Sequence, residues 1–173
     1  LRLVSGWHSS HVLERKPSDE EKALRQHLAF LKTMGCKITI VAECSRRTYH
    51  DPHKKMSHRA GLSALPEKDW DRLANGLEAL AAICENEGLP MAYHPHMGTL
   101  IQDELQLFAL MSRTEKVGLT LDSGHLAYAG ADPAVEFKKY ASRIRHVHFK
   151  DVRKDVMKKA IQENLTFHDA VVA

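Results

Sequence analysis

Apolar and polar residues alternate along this chain in two rhythms. Short strand-like runs lie at residues 37–43 (Lys-Ile-Thr-Ile-Val-Ala-Glu, rich in β-branched residues and bounded by Gly35), 90–94 (after Gly88), 117–122 and 144–149, and the opening residues 1–5 (Leu-Arg-Leu-Val-Ser) read the same way. Each predicts a strand. Between them the apolar positions recur at helical spacing. Residues 18–32 carry Leu24, His27, Leu28 and Leu31, and residues 66–86 carry Trp70, Leu73, Leu77, Leu80 and Ile83. Residues 102–112 and 132–142 complete the set of predicted helices. Ser18 and Glu21 have the spacing of a capping box after Pro17, and Gly35 and Gly88 stand where a helix stop is expected.

The last three strands begin near residues 90, 117 and 144, a step of about 27 residues. Strand and helix alternating at that pitch imply βαβ units and a parallel sheet. Doubly wound sheets and (β/α)8 barrels both have this beat. No Gly-x-Gly-x-x-Gly follows any strand, which counts against a dinucleotide-binding sheet. A full barrel takes ~250 residues, and 173 are present. The expected fold is therefore α/β: a (β/α)8 TIM barrel, here an incomplete piece of about five βα units that lacks the first and last strands. Residues 1–173 are expected to form one domain, truncated at both ends. One connection, residues 44–65, is long and holds Tyr49, His50, Asp51, His53 and His58; it is read as either an active-site lid or a solvated loop.

Composition narrows the function. The chain is 43% hydrophobic and 27% charged, which is ordinary globular usage. The formal net charge is +3 and no long basic run exists, so no nucleic-acid surface is expected. No run of ~18 apolar residues occurs, so no membrane span is expected. Cys36, Cys44 and Cys84 are odd in number and lack Cys-x-x-Cys spacing, which suits reduced thiols and a cytoplasmic location. No secretory signal and no initiator methionine open the chain, so a piece of a longer protein is expected. An oligomer is compatible with all of this.

Twelve histidines are the unusual number, and their placement gives them meaning. Each strand after the first finishes in ionisable residues: Glu43, then His94-Pro95-His96, then Asp122-Ser123-Gly124-His125, then His146-Val147-His148-Phe149-Lys150-Asp151. Side chains alternate along a strand. His94 and His96 thus share one face, His146, His148 and Lys150 share another, and Asp122 opposes Leu119 and Leu121. In a barrel the polar set points to the axis at the carboxyl-terminal mouth. Imidazoles and a carboxylate converging from neighbouring strands suit a divalent metal such as Mn2+, Co2+, Fe2+ or Zn2+.

Leu121-Asp122-Ser123-Gly124-His125 and His146-Val147-His148-Phe149-Lys150-Asp151 resemble the xylose-isomerase-like (β/α)8 superfamily of isomerases, epimerases and dehydratases. Trp7, the strand end Val41-Ala42-Glu43, the stretch 92–99 (Ala-Tyr-His-Pro-His-Met-Gly-Thr) and the tail around 151–153 and 165–171 are most similar to its inosose dehydratase family of myo-inositol catabolism. That resemblance implies a metal held by His94, Asp122 and His148, with His94 standing where a carboxylate is usual in the superfamily. Mn2+ or Co2+ is the implied ion, with Zn2+ or Fe2+ as alternatives, and glutathione is an additional cofactor in some members.

The implied reaction removes water from 2-keto-myo-inositol (scyllo-inosose) through an enediolate, giving a trihydroxycyclohexane dione. The partner is thus a small polyol or ketose. Glu43 is a candidate base or an orienting partner of a metal-bound histidine. Lys150 is a candidate acid or a substrate ligand, or else pairs with Asp151. His125 is a further catalytic candidate. Trp7, His96, Asp151 and Arg153 are candidates for substrate binding. An isomerase or epimerase of the same superfamily, or a non-catalytic sugar-binding relative, is the alternative.

Overall fold

A computed structural model describes residues 2–47 and 65–172. Five strands form one sheet: β1 (Trp7–Ser10), β2 (Thr39–Glu43), β3 (Met91–Tyr93), β4 (Gly118–Asp122) and β5 (Ile144–His148). All four pairings are parallel and the strand order is β1-β2-β3-β4-β5. Strands that follow one another in space as they do in sequence build a barrel wall, whereas a doubly wound sheet reverses its order part way across. The expectation of an incomplete (β/α)8 barrel therefore holds. The long connection expected at 44–65 falls largely outside the described residues.

The helices are α1 (Pro17–Thr33), α2 (Glu67–Asn86), α3 (Glu104–Met111), α4 (Ser123–Tyr128), α5 (Pro133–Tyr140), α6 (Lys154–Gln162) and α7 (Phe167–Val172), with one turn of 3-10 helix at Ala141–Arg143. The core lies between helices and sheet. Leu24, Leu28 and Leu31 of α1, Leu73 and Leu77 of α2, and Leu107 and Leu110 of α3 are buried with Val41, Met91, Tyr93 and Leu119 of the strands. Each such side chain contributes about 1.5–3 kcal/mol through burial.

Two expectations are corrected. The first strand is Trp7–Ser10, not residues 1–5. Leu3 and Val4 are exposed, and the ladder to β2 begins with Trp7 opposite Ile40. Ahead of it, the Ser5 hydroxyl stands in for the ladder by donating to the Ile38 carbonyl (2.9 Å) and accepting from the Ile40 N–H (3.2 Å). Second, α1 has no side-chain cap, because Pro17 takes the first helical turn and moves the N-cap to Lys16. A capping box is found instead at α3: Asp103 accepts from the N–H groups of Leu105 and Gln106, and Gln106 Oε1 accepts from the Asp103 N–H. The two glycine stops hold, with Gly35 at φ +70° and Gly88 at φ +72°.

A bulge sets the register of the last strand. Leu119 pairs with Ile144, but Thr120 pairs with His146, which leaves Arg145 as the extra residue. Ile144 and Val147 thereby both pack on the helix-side core. The Arg145 guanidinium crosses to the Met91 carbonyl (3.0 Å) and Glu85 (3.1 Å). Gly118 makes room for it, since a Cβ there would lie 2.3 Å from Arg145 Cδ and 2.7 Å from the Met91 carbonyl oxygen.

Asp103→Ala removes the acceptor for two otherwise unpaired N–H groups of α3. It is expected to lower unfolding stability by about 1 kcal/mol in urea denaturation, without altering the histidine-rich end of the sheet.

Candidate metal centre and adjoining cavity

The register places the site. Asp122 pairs directly with His148 across β4 and β5. His94 follows β3, and its N–H extends the ladder to the Val41 carbonyl (2.7 Å). Ala92 pairs with Gly118, so His94, two residues on, stands level with Thr120 on the axis-facing side of the sheet. Three adjacent strand ends thus deliver three side chains to one point. His94 Nε2 lies 3.1 Å from Asp122 Oδ2 and 3.0 Å from His148 Nδ1. His148 Nδ1 lies 3.2 Å from the same carboxylate oxygen. A ligand atom of His125 also comes within 4.8 Å of ligand atoms of His94 and Asp122.

These separations fit a divalent ion. Neighbouring donors around an octahedral ion at about 2.1 Å sit about 3 Å apart. Two imidazole nitrogens and a carboxylate oxygen are the donor types that borderline divalent metals take. His94 Nδ1, on the far side of its ring, is buried without a hydrogen-bond partner among the described residues.

The segment Asp122-Ser123-Gly124-His125 shows why these residue types occur in this order. Asp122 ends β4 and caps α4: its Oδ1 accepts from the N–H groups of Gly124 and His125, both at 3.0 Å. Its Oδ2 is thereby left for the site. The first turn of α4 then carries the His125 ring back over His96, with centroids 4.0 Å apart. Gly124 allows β5 to close in, since a Cβ there would lie 2.6 Å from Lys150 Cβ. Ser123 accepts from the Lys150 N–H and donates to the Lys150 carbonyl, so it staples the two strand ends.

Charge at the site follows from burial. Burial opposes ionisation of Asp122, but hydrogen bonds from His94, Lys150 and the His125 N–H outweigh it and hold the carboxyl far below the usual carboxylate range. Lys150 Nζ donates to Asp122 Oδ2 at 2.6 Å, so the lysine pairs with Asp122, not with Asp151. Burial, and then the neighbouring His96, pushes His125 down to about 2. Burial brings His96 down to about 4, although its contact with the Met97 carbonyl opposes this. Burial also lowers His94 despite the Asp122 carboxylate. All three rings are neutral at pH 7, the state in which an imidazole nitrogen ligates a metal or accepts a proton.

Trp7 stands on the same face. Its ring meets His94 and His96 edge-on at 5.3 and 5.4 Å. A cavity of about 440 Å³ opens beside the cluster, lined by His96, His125, Lys150, Asp151 and Arg153 among others. Those five expected residues share one space. Phe167 and Tyr128, which sequence reasoning did not single out as site residues, also line it; the only signal for Phe167 was its place in the tail motif.

Glu43 stands elsewhere. It shares its parity with Val41, which packs in the helix-side core, so its carboxylate faces the helix layer instead of the axis. There it is fully buried. It accepts from the Ser10 hydroxyl (2.5 Å) and the N–H groups of Val12 (3.0 Å) and Ser45 (2.9 Å). Burial raises its pKa, partly offset by those donors. All three cysteines are buried. No helix among the described residues is long and apolar enough to cross a membrane.

Comparison with known proteins agrees with this architecture. Residues 4–170 match the family described as the xylose isomerase-like TIM barrel. The inosose dehydratase of Clostridium beijerinckii is 36% identical over 169 residues, covering 96% of this chain and 56% of that protein. The rhizopine catabolism protein MocC of Rhizobium meliloti is 36% identical over 173 residues, covering 99% of this chain and 52% of that protein. The chain thus spans little more than half the length of these relatives. Among solved structures, the probable 3-DHS dehydratase AsbF of Bacillus anthracis superposes with a TM-score of 0.67 at 14% identity, covering 88% of this chain and 51% of that one, a likeness of fold.

The buried histidines carry a pH prediction. An unfolded histidine takes up a proton near pH 6.5, whereas folded His96 does so only near 4. Between those values the unfolded state binds more protons, so stability is full above about pH 6.5 and is lost as pH falls toward 4. Below the ordinary Asp range, protonation of Asp122 removes more. Thermal melts in EDTA are expected to show a falling midpoint over this window; His96→Asn lessens the fall, and the share of His125, which continues toward about pH 2, remains.

Proposed function

The chain belongs to the xylose isomerase-like TIM-barrel family, and on that premise we propose that it is the metal-binding part of a hydro-lyase that dehydrates a cyclic polyol ketone, scyllo-inosose. The observation that carries this reading is the approach of His94 Nε2, Asp122 Oδ2 and His148 Nδ1 to within 3.2 Å of one another. The identity of 36% with an inosose dehydratase across 96% of the chain supports the substrate.

His94, Asp122 and His148 would hold the ion, with Mn2+ or Co2+ the expected metal and Zn2+ or Fe2+ the alternatives. When bound, the ion supplies Lewis-acid polarisation of the ketone oxygen. The reaction then needs one proton taken from carbon beside the ketone and one given to the departing hydroxyl. His125 faces the cavity, but burial that holds its ring at about 2 makes it a hydrogen-bond acceptor for a substrate hydroxyl and too weak a base to take the first. Lys150, a cation held at Asp122 Oδ2, supplies a donor to the leaving oxygen, which departs as water. The remaining enol becomes the dione. Arg153, Asp151 and His96 bind the rim hydroxyls, and Trp7 backs His94 and His96. Glu43, saturated by three donors on the helix side, positions the ends of β1 and β2 and takes no proton from substrate. The whole pocket is small enough for one ring-sized ligand, which is the partner this reading requires.

Calorimetric titration with Mn2+ is expected to show one binding event, weakened at least about tenfold in His94→Ala, Asp122→Asn and His148→Ala. Affinity equal to the unsubstituted chain in all three would remove the ligand assignment. Activity is tested on the protein as it occurs in its source. Incubation with scyllo-inosose and Mn2+ is expected to produce the ultraviolet absorbance of the dione, abolished by EDTA. A stereoisomer appearing without that absorbance would make the protein an epimerase instead.

A further inference from the structure

The chemistry proposed above uses the polar part of the cavity lining and leaves the apolar part without a role. That apolar wall is built from α6 and α7 by Val156, Met157, Phe167 and Val171. The Phe167 ring is its centre. Its centroid lies 5.7 Å from those of both His96 and His125, and 5.9 Å from that of Tyr128. An aromatic ring therefore stands against the same two imidazoles that border the polar wall of Lys150, Asp151 and Arg153.

A ligand that satisfies both walls carries oxygen around a rim and C–H bonds on a face. A six-membered carbocycle with every hydroxyl equatorial has that shape: its oxygens radiate in the ring plane and each face shows only axial C–H bonds. An axial hydroxyl would instead be pressed into the apolar wall and lose its water without gaining a partner. We infer that Phe167 is a specificity-determining residue, selecting all-equatorial cyclic polyols by stacking on their C–H face. This rests on the cyclic-polyol reading of the site.

The test uses two unreactive probes. scyllo-Inositol has no axial hydroxyl. chiro-Inositol has one on each face, so turning the ring over cannot present a bare face. Calorimetry on the Mn2+-loaded protein is expected to show scyllo-inositol bound about tenfold or more tightly than chiro-inositol. Phe167→Ala brings the two within about threefold of each other at unchanged circular dichroism, as does Phe167→Leu if the alanine variant does not fold. Phe167→Tyr, which keeps the ring, retains the preference. Equal affinity in the unsubstituted protein, or an unchanged ratio in both Phe167→Ala and Phe167→Leu, would overturn the role of Phe167 alone. Binding of neither cyclitol would overturn the cyclic-polyol reading and this inference with it.

Discussion

A carboxylate buried to the depth of Asp122, 1% exposed, is stable as an anion only where donors surround it. The carboxyl-terminal end of the sheet is arranged to supply them. One oxygen of Asp122 is taken by the first N–H groups of α4. The other gathers two imidazoles and a lysine ammonium from strands on either side. Helix start, strand end and site are therefore one structural unit. Loss of this carboxylate would leave two imidazole nitrogens 3.0 Å apart with no anion between them.

The sheet separates its duties by parity. The helix-facing side carries Val41, Tyr93 and Leu119 in the apolar core, and Glu43 belongs to that side. The axis-facing side carries Trp7, His94, Asp122 and His148. Each side holds its own buried carboxylate, and the two are satisfied differently. Glu43 is tied by a serine and two backbone N–H groups, so its bonds are spent on local structure. Asp122 spends half of its bonding on α4 and directs the rest to His94, His148 and Lys150.

The histidines owe their chemistry to the same burial that makes them costly. Neutral rings at pH 7 follow from the low exposure of His94 and His125. A cluster of imidazolium ions at ring separations of 4.0–5.6 Å would repel itself apart. Cavity and cluster then complement each other: the cluster offers lone pairs, and the adjoining lining offers a lysine, an arginine and the Phe167 ring.

Much of this was legible in the order of residues. The strand and helix beat, the parallel sheet, the glycine stops and the ionisable strand ends follow from local periodicity and the fixed alternation of a strand. Parity even held the answer for Glu43, whose partner in phase is the apolar Val41. What local pattern cannot contain is which strand neighbours which and with what offset. The sequential strand order, the Arg145 bulge that aligns Asp122 with His148, the turn of α4 that swings His125 onto His96, and the meeting of Phe167 with residues some 40 and 70 positions earlier all depend on pairings between distant segments. Backbone hydrogen bonding and packing across the barrel wall set those pairings, and they decided that scattered histidines became one site.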